Sequence, residues 1–431
     1  MKIESFAYKN GSLEWQGASV RQLAAEYGTP LYVYSEAAIL DRIARLRSAF
    51  GSRRAGIYYS VKANSNLSVL RIISGAGCGA DIVSGGELFR CLKAGLTPEK
   101  IVFSGVGKSA DEIRYAINTG ILFLSVESPA ELEAIGKIAQ EMGKTARISV
   151  RVNPDVDPKT HPYISTGLKE NKFGISHREV VSIYKLAASL PGIQPTGLGF
   201  HIGSQITDLS AFKEAGQIAV RLVNAVRAEG INLHHLDVGG GLGISYLDEK
   251  APAPEEYARQ IIDSVGLPDL ELMFDPGRSI VGNSGILVSR LLYLKGAEAA
   301  RDAKGASIQR ADDANSPKTF YICDAGMNDL LRPSLYDAYH HVYSDPERPL
   351  SGFGDLVGPV CESGDFFAKD RAMPAFKAGD LAVLASAGAY GFTMASNYNS
   401  RPRPAEVLIR SDGRAEIVRK RESFEDLIRG E

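Results

Sequence analysis

The chain has 431 residues, 44% apolar and 23% charged, which is long and apolar enough for a large core in two domains and unlike a disordered chain. Its formal net charge of −2, with both signs interleaved, excludes the broad basic field used against nucleic acid or an anionic membrane. No uncharged apolar stretch approaches the ~18 residues that span a bilayer, the first twenty residues lack an export-type apolar run, and four scattered cysteines without a C-x-x-C pair predict a reducing cytoplasm.

In chain order, residues 1–35 carry two short strand-like pieces, Ser12–Trp15 and Leu31–Tyr34. From residue 36 to about 275, apolar or β-branched runs alternate with amphipathic stretches of helical period, the pattern of parallel strands joined by helices. The runs are Gly56–Val61, Gly79–Val83, Lys100–Phe103, Ile121–Val126, Arg147–Val152, Gly197–His201, His234–Val238 and Glu271–Phe274. They predict an α/β fold whose first domain, 36–280, is a closed (β/α)8 TIM barrel. A doubly wound sheet would have fewer strands in this length and a different phosphate fingerprint.

Beyond residue 280 the pattern becomes strands and glycine turns: Ile286–Lys295, Thr319–Cys323, then Glu406–Arg410 and Ala415–Arg419 around Asp412–Gly413. Residues 281–431, joined by 1–35, are expected to form a β-rich, sandwich- or barrel-like domain, since chain termini commonly lie close together. The polar, Ala- and Asp-rich stretch between Gly296 and Lys318 predicts a mobile surface loop. No internal repeat of fixed period is present, which disfavours solenoids and propellers.

A barrel builds its site at the C-terminal ends of its strands. Those ends carry Lys62, Asp81, Ser84, Glu127, Arg151, Asn153, His201, Gly239 to Gly241 and the turn Asp275, Pro276, Gly277, Arg278. Lys62 closes the run IYYSVKAN, where aromatic and β-branched neighbours desolvate an amine and lower its pKa towards the range that forms imines. A lone lysine past a strand is more often just solvated; its companions decide. Leu236–Val238 runs into Gly239, Gly240, Gly241, Leu242 and Gly243, glycines whose amides can cradle a phosphate. His201 can stack on a planar ring or fill the barrel end.

Other motifs fail. The dinucleotide spacing G-x-G-x-x-G meets Ile244 or Tyr246 where glycine is required, and Gly107–Lys108–Ser109 imitates a nucleotide loop but has Val102 at its first glycine position. That segment reads as a loop and helix cap. No metal-ligand spacing appears among the seven histidines and four cysteines, so no metal is expected.

YSVKANSN, DIVSGGEL, RVNPDVD, NKFGI, GFHIGSQI, DVGGGLG, DPGRS, LRPSLYDAYH, CESGD and GAYGFTMASNYNSRPR follow in this order over nearly the whole length. Together they resemble the diaminopimelate decarboxylases, pyridoxal-phosphate enzymes with an alanine-racemase-like barrel and a C-terminal β-domain. The resemblance implies Lys62 as the imine lysine and His201 as the ring stacked on pyridoxal 5′-phosphate. It places Ser204, Gly239, Gly240, Gly241, Asp275, Pro276, Gly277, Arg278 and Tyr390 at the cofactor. Arg278, Arg332, Tyr336, Glu362 and Tyr390 would surround the substrate, and Cys361 would donate the proton. Taken singly, Arg332, Tyr336 and Glu362 read as a surface ion pair or core tyrosine, and Cys361 as an inert small hydrophobe. The family usually has Glu where this chain has Asp275, one methylene shorter, so the partner of the pyridine nitrogen is expected to keep its role with altered geometry.

The resemblance implies decarboxylation of meso-2,6-diaminopimelate to L-lysine, the last step of lysine biosynthesis, in a homodimer whose CESGD segment reaches the neighbouring subunit's site. The alternative substrates are ornithine, arginine and carboxynorspermidine, which lack the distal pairing of ammonium with a second carboxylate that Arg332 and Glu362 would clamp. A non-catalytic cofactor carrier would lose Cys361 and the substrate cluster. An amino-acid racemase on the same barrel would need acid–base groups on both ring faces and no distal clamp.

Overall fold

The computed structural model of the chain describes residues 6–157, 167, 171–247, 249–296 and 318–431. The stretch expected to form a surface loop lies, between Gly296 and Lys318, outside the described residues. The chain divides into two compact units: Leu40–Ile244 with Lys250–Ile280, and Met1–Ile39 with Ser245–Glu249 and Val281–Glu431. No helix among the described residues is long and apolar enough to cross a membrane.

In the unit containing Leu40–Ile244, the strands Ala55–Ser60, Gly79–Ile82, Ile101–Phe103, Phe123–Val126, Ala146–Asn153, Ile193–Phe200, His235–Asp237 and Glu271–Phe274 pair in chain order, all in parallel. Glu271–Phe274 then pairs with Ala55–Ser60 and closes the barrel. The strands read as nearly continuous apolar runs because a parallel barrel covers both of their faces. Ile193–Phe200 begins earlier than the sequence pattern indicates. Pro195 interrupts that pattern, and the chain accommodates it at a register shift between Pro195 and Gly197. Gly79 is small for a reason: a Cβ there would lie 2.4 Å from the Lys100 carbonyl and 2.6 Å from the Tyr58 ring. Tyr58, Val102, Phe123 and Met273 pack together as a buried cluster.

Ser84, Ser109 and Ser128 each follow a barrel strand and cap the next helix, accepting from the amides of Glu87, Glu112 and Glu131. Glu112 reciprocates to the Ser109 backbone, a capping box, which is the cap expected of the Gly107–Ser109 segment. These caps fix where each helix leaves its strand end, and so fix the loops that carry the site.

In the other unit, strand Gly285–Lys295 is the hub, pairing with Leu31–Ser35, Leu381–Leu384 and Phe320–Cys323. Leu31–Ser35 also pairs in parallel with Ala405–Ile409, which returns through Asp412–Gly413 to Ala415–Arg419. Val342–Asp345 pairs with Leu381–Leu384, and Gly352–Val357 with Phe366–Met373. Leu13 and Trp15 of the strand Ser12–Trp15 are buried in the same core as Val33, Ile286, Val383 and Val407, so the N-terminal segment is part of this β-rich unit.

Candidate active site

Strand Ala55–Ser60 ends in a 3₁₀ turn, Val61–Ala63, that carries Lys62. Lys62 lines a cavity together with Asp81, Arg151, Phe173, His201, Asp237, Gly239 and Asp275, at the C-terminal strand ends. Ser60 ties this turn to its neighbour: its hydroxyl donates to the Asp275 carbonyl at 3.0 Å and its amide to the Pro276 carbonyl at 3.3 Å. A Cβ on Gly277 would lie 2.9 Å from the Ala63 Cβ. The glycine of the DPGR turn therefore allows the close approach that sets Asp275 beside Lys62.

The glycine run is packed more tightly than its sequence suggests. Gly239 and Gly241 have φ of +74° and +94°, and a Cβ on Gly240 would lie 2.3 Å from the Asp275 carbonyl. The amides of Gly239 and Gly240, expected to face a phosphate, are engaged inside the barrel: Gly239 donates to Asp237 Oδ1 at 2.9 Å and Gly240 to His201 Nδ1 at 3.2 Å. The second bond assigns the His201 tautomer. An amide only donates, so Nδ1 accepts and the ring proton sits on Nε2. Nδ1 lies 3.8 Å from Asp275 Oδ1, too far for a hydrogen bond. Burial lowers the His201 pKa against the pull of Asp275, and the ring is neutral.

Asp81 is pushed up to about 7 by burial and then by the charge of Asp275, while Lys62 draws it back. Asp237 is raised for the same first two reasons. Asp81 and Asp237 line one cavity, and their protons do not come off independently of their surroundings. Asp237 and Phe173 were not singled out from the sequence. Asp237 sits inside a strand pattern, and Phe173 lies in a loop whose aromatic stacks under the Arg151 guanidinium, 4.7 Å from the ring centre.

Not every strand-end residue reaches the cavity. Ser84 is spent on its helix cap. Glu127 accepts from Arg151 and from the amides of Gly105 and Gly174. Asn153 accepts from the Asp155 amide and donates to the Phe173 carbonyl. These three shape the loops. Arg278, buried, donates to the Ser204 hydroxyl at 3.1 Å, a cation and a hydroxyl suited together to a phosphate.

The remaining predicted residues belong to the β-rich unit. Arg332 opens the short helix Arg332–Tyr336 and is only 5% exposed. Its guanidinium lies over the Tyr246 ring at 4.9 Å. Cys361 and Glu362 are exposed on a loop closed by one carboxylate: Asp365 accepts from the amides of Val360 and Met327, each at 2.6 Å. The Cys361 amide donates to the Asn399 side chain at 2.8 Å. Tyr390 has φ of +56° between Gly388 and Gly391, a conformation that a non-glycine residue holds only where its surroundings impose it.

Residues 36–282 match the family described as "Pyridoxal-dependent decarboxylase, pyridoxal binding domain". The chain is 44% identical over 423 residues to the diaminopimelate decarboxylase of Aquifex aeolicus strain VF5, covering 98% of this chain and 96% of that one. It is 47% identical over 412 residues to the diaminopimelate decarboxylase of Neisseria meningitidis serogroup A, covering 95% and 96%. The chain belongs to the diaminopimelate decarboxylase family. The crystal structure of diaminopimelate decarboxylase from Helicobacter pylori complexed with L-lysine matches with a TM-score of 0.87 at 44% identity, covering 95% of this chain and 98% of that one.

Members of the diaminopimelate decarboxylase family use pyridoxal 5′-phosphate, and the cavity fits that group. Asp81 Oδ1 and Asp275 Oδ1 are buried and accept no hydrogen bond among the described residues. Buried acceptors of this kind are complementary to a protonated ring nitrogen or an amine. Lys62 enters the same cavity, and Arg278 with Ser204 offers a place for the phosphate.

Proposed function

We propose that this chain decarboxylates meso-2,6-diaminopimelate to L-lysine and CO2, with Lys62 as the residue that holds pyridoxal 5′-phosphate. The observation that carries the reading is the juxtaposition of Lys62, neutral His201 and the unbonded Asp275 oxygen in one cavity, in a chain alike over nearly its full length to diaminopimelate decarboxylases. The chemistry supplied by the bound cofactor is uptake of the electron pair released when CO2 leaves.

The protein's part is positioning and charge. Lys62 Nζ would be the point of covalent attachment for the cofactor. His201 offers a flat neutral face, so no second positive charge opposes the protonated pyridine ring. The Asp275 carboxylate, with its buried unbonded Oδ1, would pair with the cofactor's ring nitrogen and favour its protonated form. Arg278 and Ser204 hold the phosphate, with Tyr390 and the Gly239–Gly241 segment completing the cofactor site together with Pro276 and Gly277.

Arg332 takes the carboxylate of the substrate's non-reacting end, Glu362 its ammonium, and Tyr336 and Tyr390 flank them. Cys361 delivers the proton to the reacting carbon. The working assembly is a homodimer in which the CESGD loop of one protomer serves the site of its partner. The exposure of Cys361 and Glu362 on their own chain supports that arrangement. Four cysteines, all free, accord with a cytoplasmic protein.

The test compares steady-state rates on meso-diaminopimelate, ornithine, arginine and carboxynorspermidine. Preference for any of the last three sinks the substrate assignment. Release of CO2 separates decarboxylation from racemisation.

A further inference from the structure

We infer that His340 is a positioning residue for Arg332, and through it a determinant of selectivity for a substrate with a second carboxylate. The inference rests on the reading above that Arg332 meets that carboxylate.

His340 is fully buried, and both ring nitrogens have partners. Nδ1 lies 2.8 Å from the Ala385 carbonyl and Nε2 lies 3.1 Å from Arg332 Nη1. A carbonyl can only accept, so Nδ1 carries the proton. A guanidinium can only donate, so Nε2 presents its lone pair. The two constraints agree on one neutral tautomer. Adding a proton would set an imidazolium against a guanidinium at 3.1 Å, a like-charge contact in a buried place.

The backbone that carries the ring is also held. Arg371 donates to the His340 carbonyl at 2.6 Å, and the Ala385 amide donates to the His341 carbonyl at 2.9 Å, extending the pairing of Val342–Asp345 with Leu381–Leu384. Tyr246 meets the His340 ring edge-on at 5.6 Å and lies under the Arg332 guanidinium. The guanidinium is thus oriented in two directions, by a hydrogen bond in its plane and an aromatic ring on its face.

The choice of residue matters. A carboxylate in the place of His340 would orient Arg332 and also neutralise it. A neutral imidazole orients it and adds no counter-charge, which keeps the cation effective towards an incoming carboxylate. Leucine would fill the space without the acceptor. Glutamine can restore an acceptor at the reach of Nε2.

The experiment uses the full-length holoenzyme with His340→Leu, His340→Gln and Arg332→Leu. It measures kcat and KM for meso-diaminopimelate and inhibition by L-lysine, which keeps the carboxylate of the non-reacting end, and by 1,5-diaminopentane, which lacks it. His340→Leu is expected to raise KM and weaken L-lysine by about tenfold or more, the loss of one hydrogen bond to a charged group. Its kcat stays within about threefold and 1,5-diaminopentane inhibits as before, because neither depends on that carboxylate contact. His340→Gln recovers most of the loss.

If Arg332→Leu raises KM and His340→Leu does not, the positioning role is wrong and the substrate reading stands. If Arg332→Leu leaves KM and L-lysine inhibition unchanged, the substrate reading itself falls. Equal weakening of both inhibitors, or failure of both His340 variants to fold, makes His340 structural and overturns the inference.

Discussion

Asp275→Asn tests the electrostatic core of the site with little change of shape. The side chain is 9% exposed, and asparagine fills nearly the same volume, so packing beside Gly240 and Ser60 is retained. What is lost is the charge. Oδ1 accepts no hydrogen bond among the described residues, so its field acts on what enters the cavity, and on Asp81 and Asp237, both raised by it after burial. An amide oxygen can still accept from the pyridine nitrogen, but a neutral bond is about half as strong as a charge-assisted one. Removing one preorganised electrostatic partner of a developing charge typically costs about 10² to 10³ in kcat, roughly 3 to 4 kcal/mol. The expected result is a kcat lowered about 100-fold, by that comparison, with KM for meso-diaminopimelate changed only a few-fold. The assay is L-lysine formation at saturating cofactor and substrate. A kcat within about threefold of the parent would refute the assignment of Asp275 as the ring-nitrogen partner. Asp275→Glu, which introduces the family's usual residue, should retain kcat within about tenfold but lower Tm. The extra methylene enters a site where a Gly240 Cβ would already lie 2.6 Å from Oδ1, and overpacking costs about 1–3 kcal/mol.

Lys62→Ala should abolish turnover and the absorption band of lysine-attached pyridoxal phosphate; a retained band places the attachment elsewhere. Asp81 is raised to about 7 in the folded chain, so the folded state binds its proton more tightly than the unfolded state, and cofactor-free stability declines as pH rises from about 4 to 7. Asp81→Asn should therefore raise Tm of the cofactor-free protein at pH 8 and change it little at pH 4; equal shifts at both would exclude this origin. Gly240→Ala should lower both Tm and cofactor retention, because its Cβ would lie 2.3 Å from the Asp275 carbonyl; wild-type retention would mean the loop has room. Asn399 accepts from the Cys361 amide at 2.8 Å with φ of +55°. Asn399→Asp, which keeps both the acceptor and the tolerance for that backbone, should retain kcat, while Asn399→Ala should lower it by about tenfold, the scale of one hydrogen bond; equal rates would free Cys361 from this anchor.

Much of the barrel was legible because its signals are local. Apolar runs of strand length, the loop and helix cap at Gly107–Ser109, and polar residues just past each run are all read within ten residues of chain. The convergence of Lys62, Asp81, Arg151, His201 and Asp275 on one cavity follows from that topology. What the sequence hid was where hydrogen bonds end. Bare glycine amides suggested an open phosphate cradle, yet Gly239 and Gly240 donate to Asp237 and His201, partners brought in by other strands. Glu127 and Asn153 are as polar as Asp81, and only packing distinguishes loop-holding from cavity-lining groups. The β-rich unit was less legible in detail, since its hub strand Gly285–Lys295 pairs with segments from both ends of the chain. Ser245–Glu249 belongs to that unit, although it directly follows the glycine run in sequence, which is why Tyr246 gave no hint of lying under Arg332.

His201 and His340 resolve a common problem in opposite ways. Each sits beside functional charge, His340 fully buried and His201 partly so, and each must stay neutral: His201 so that no imidazolium competes with Lys62 and a protonated ring, His340 so that none repels Arg332. A backbone group selects the tautomer in both. The Gly240 amide makes His201 Nδ1 an acceptor, and the Ala385 carbonyl makes His340 Nδ1 a donor. The free choice that imidazole has in water is removed, and the second nitrogen is committed as a consequence, to an N–H at His201 and to a lone pair at His340.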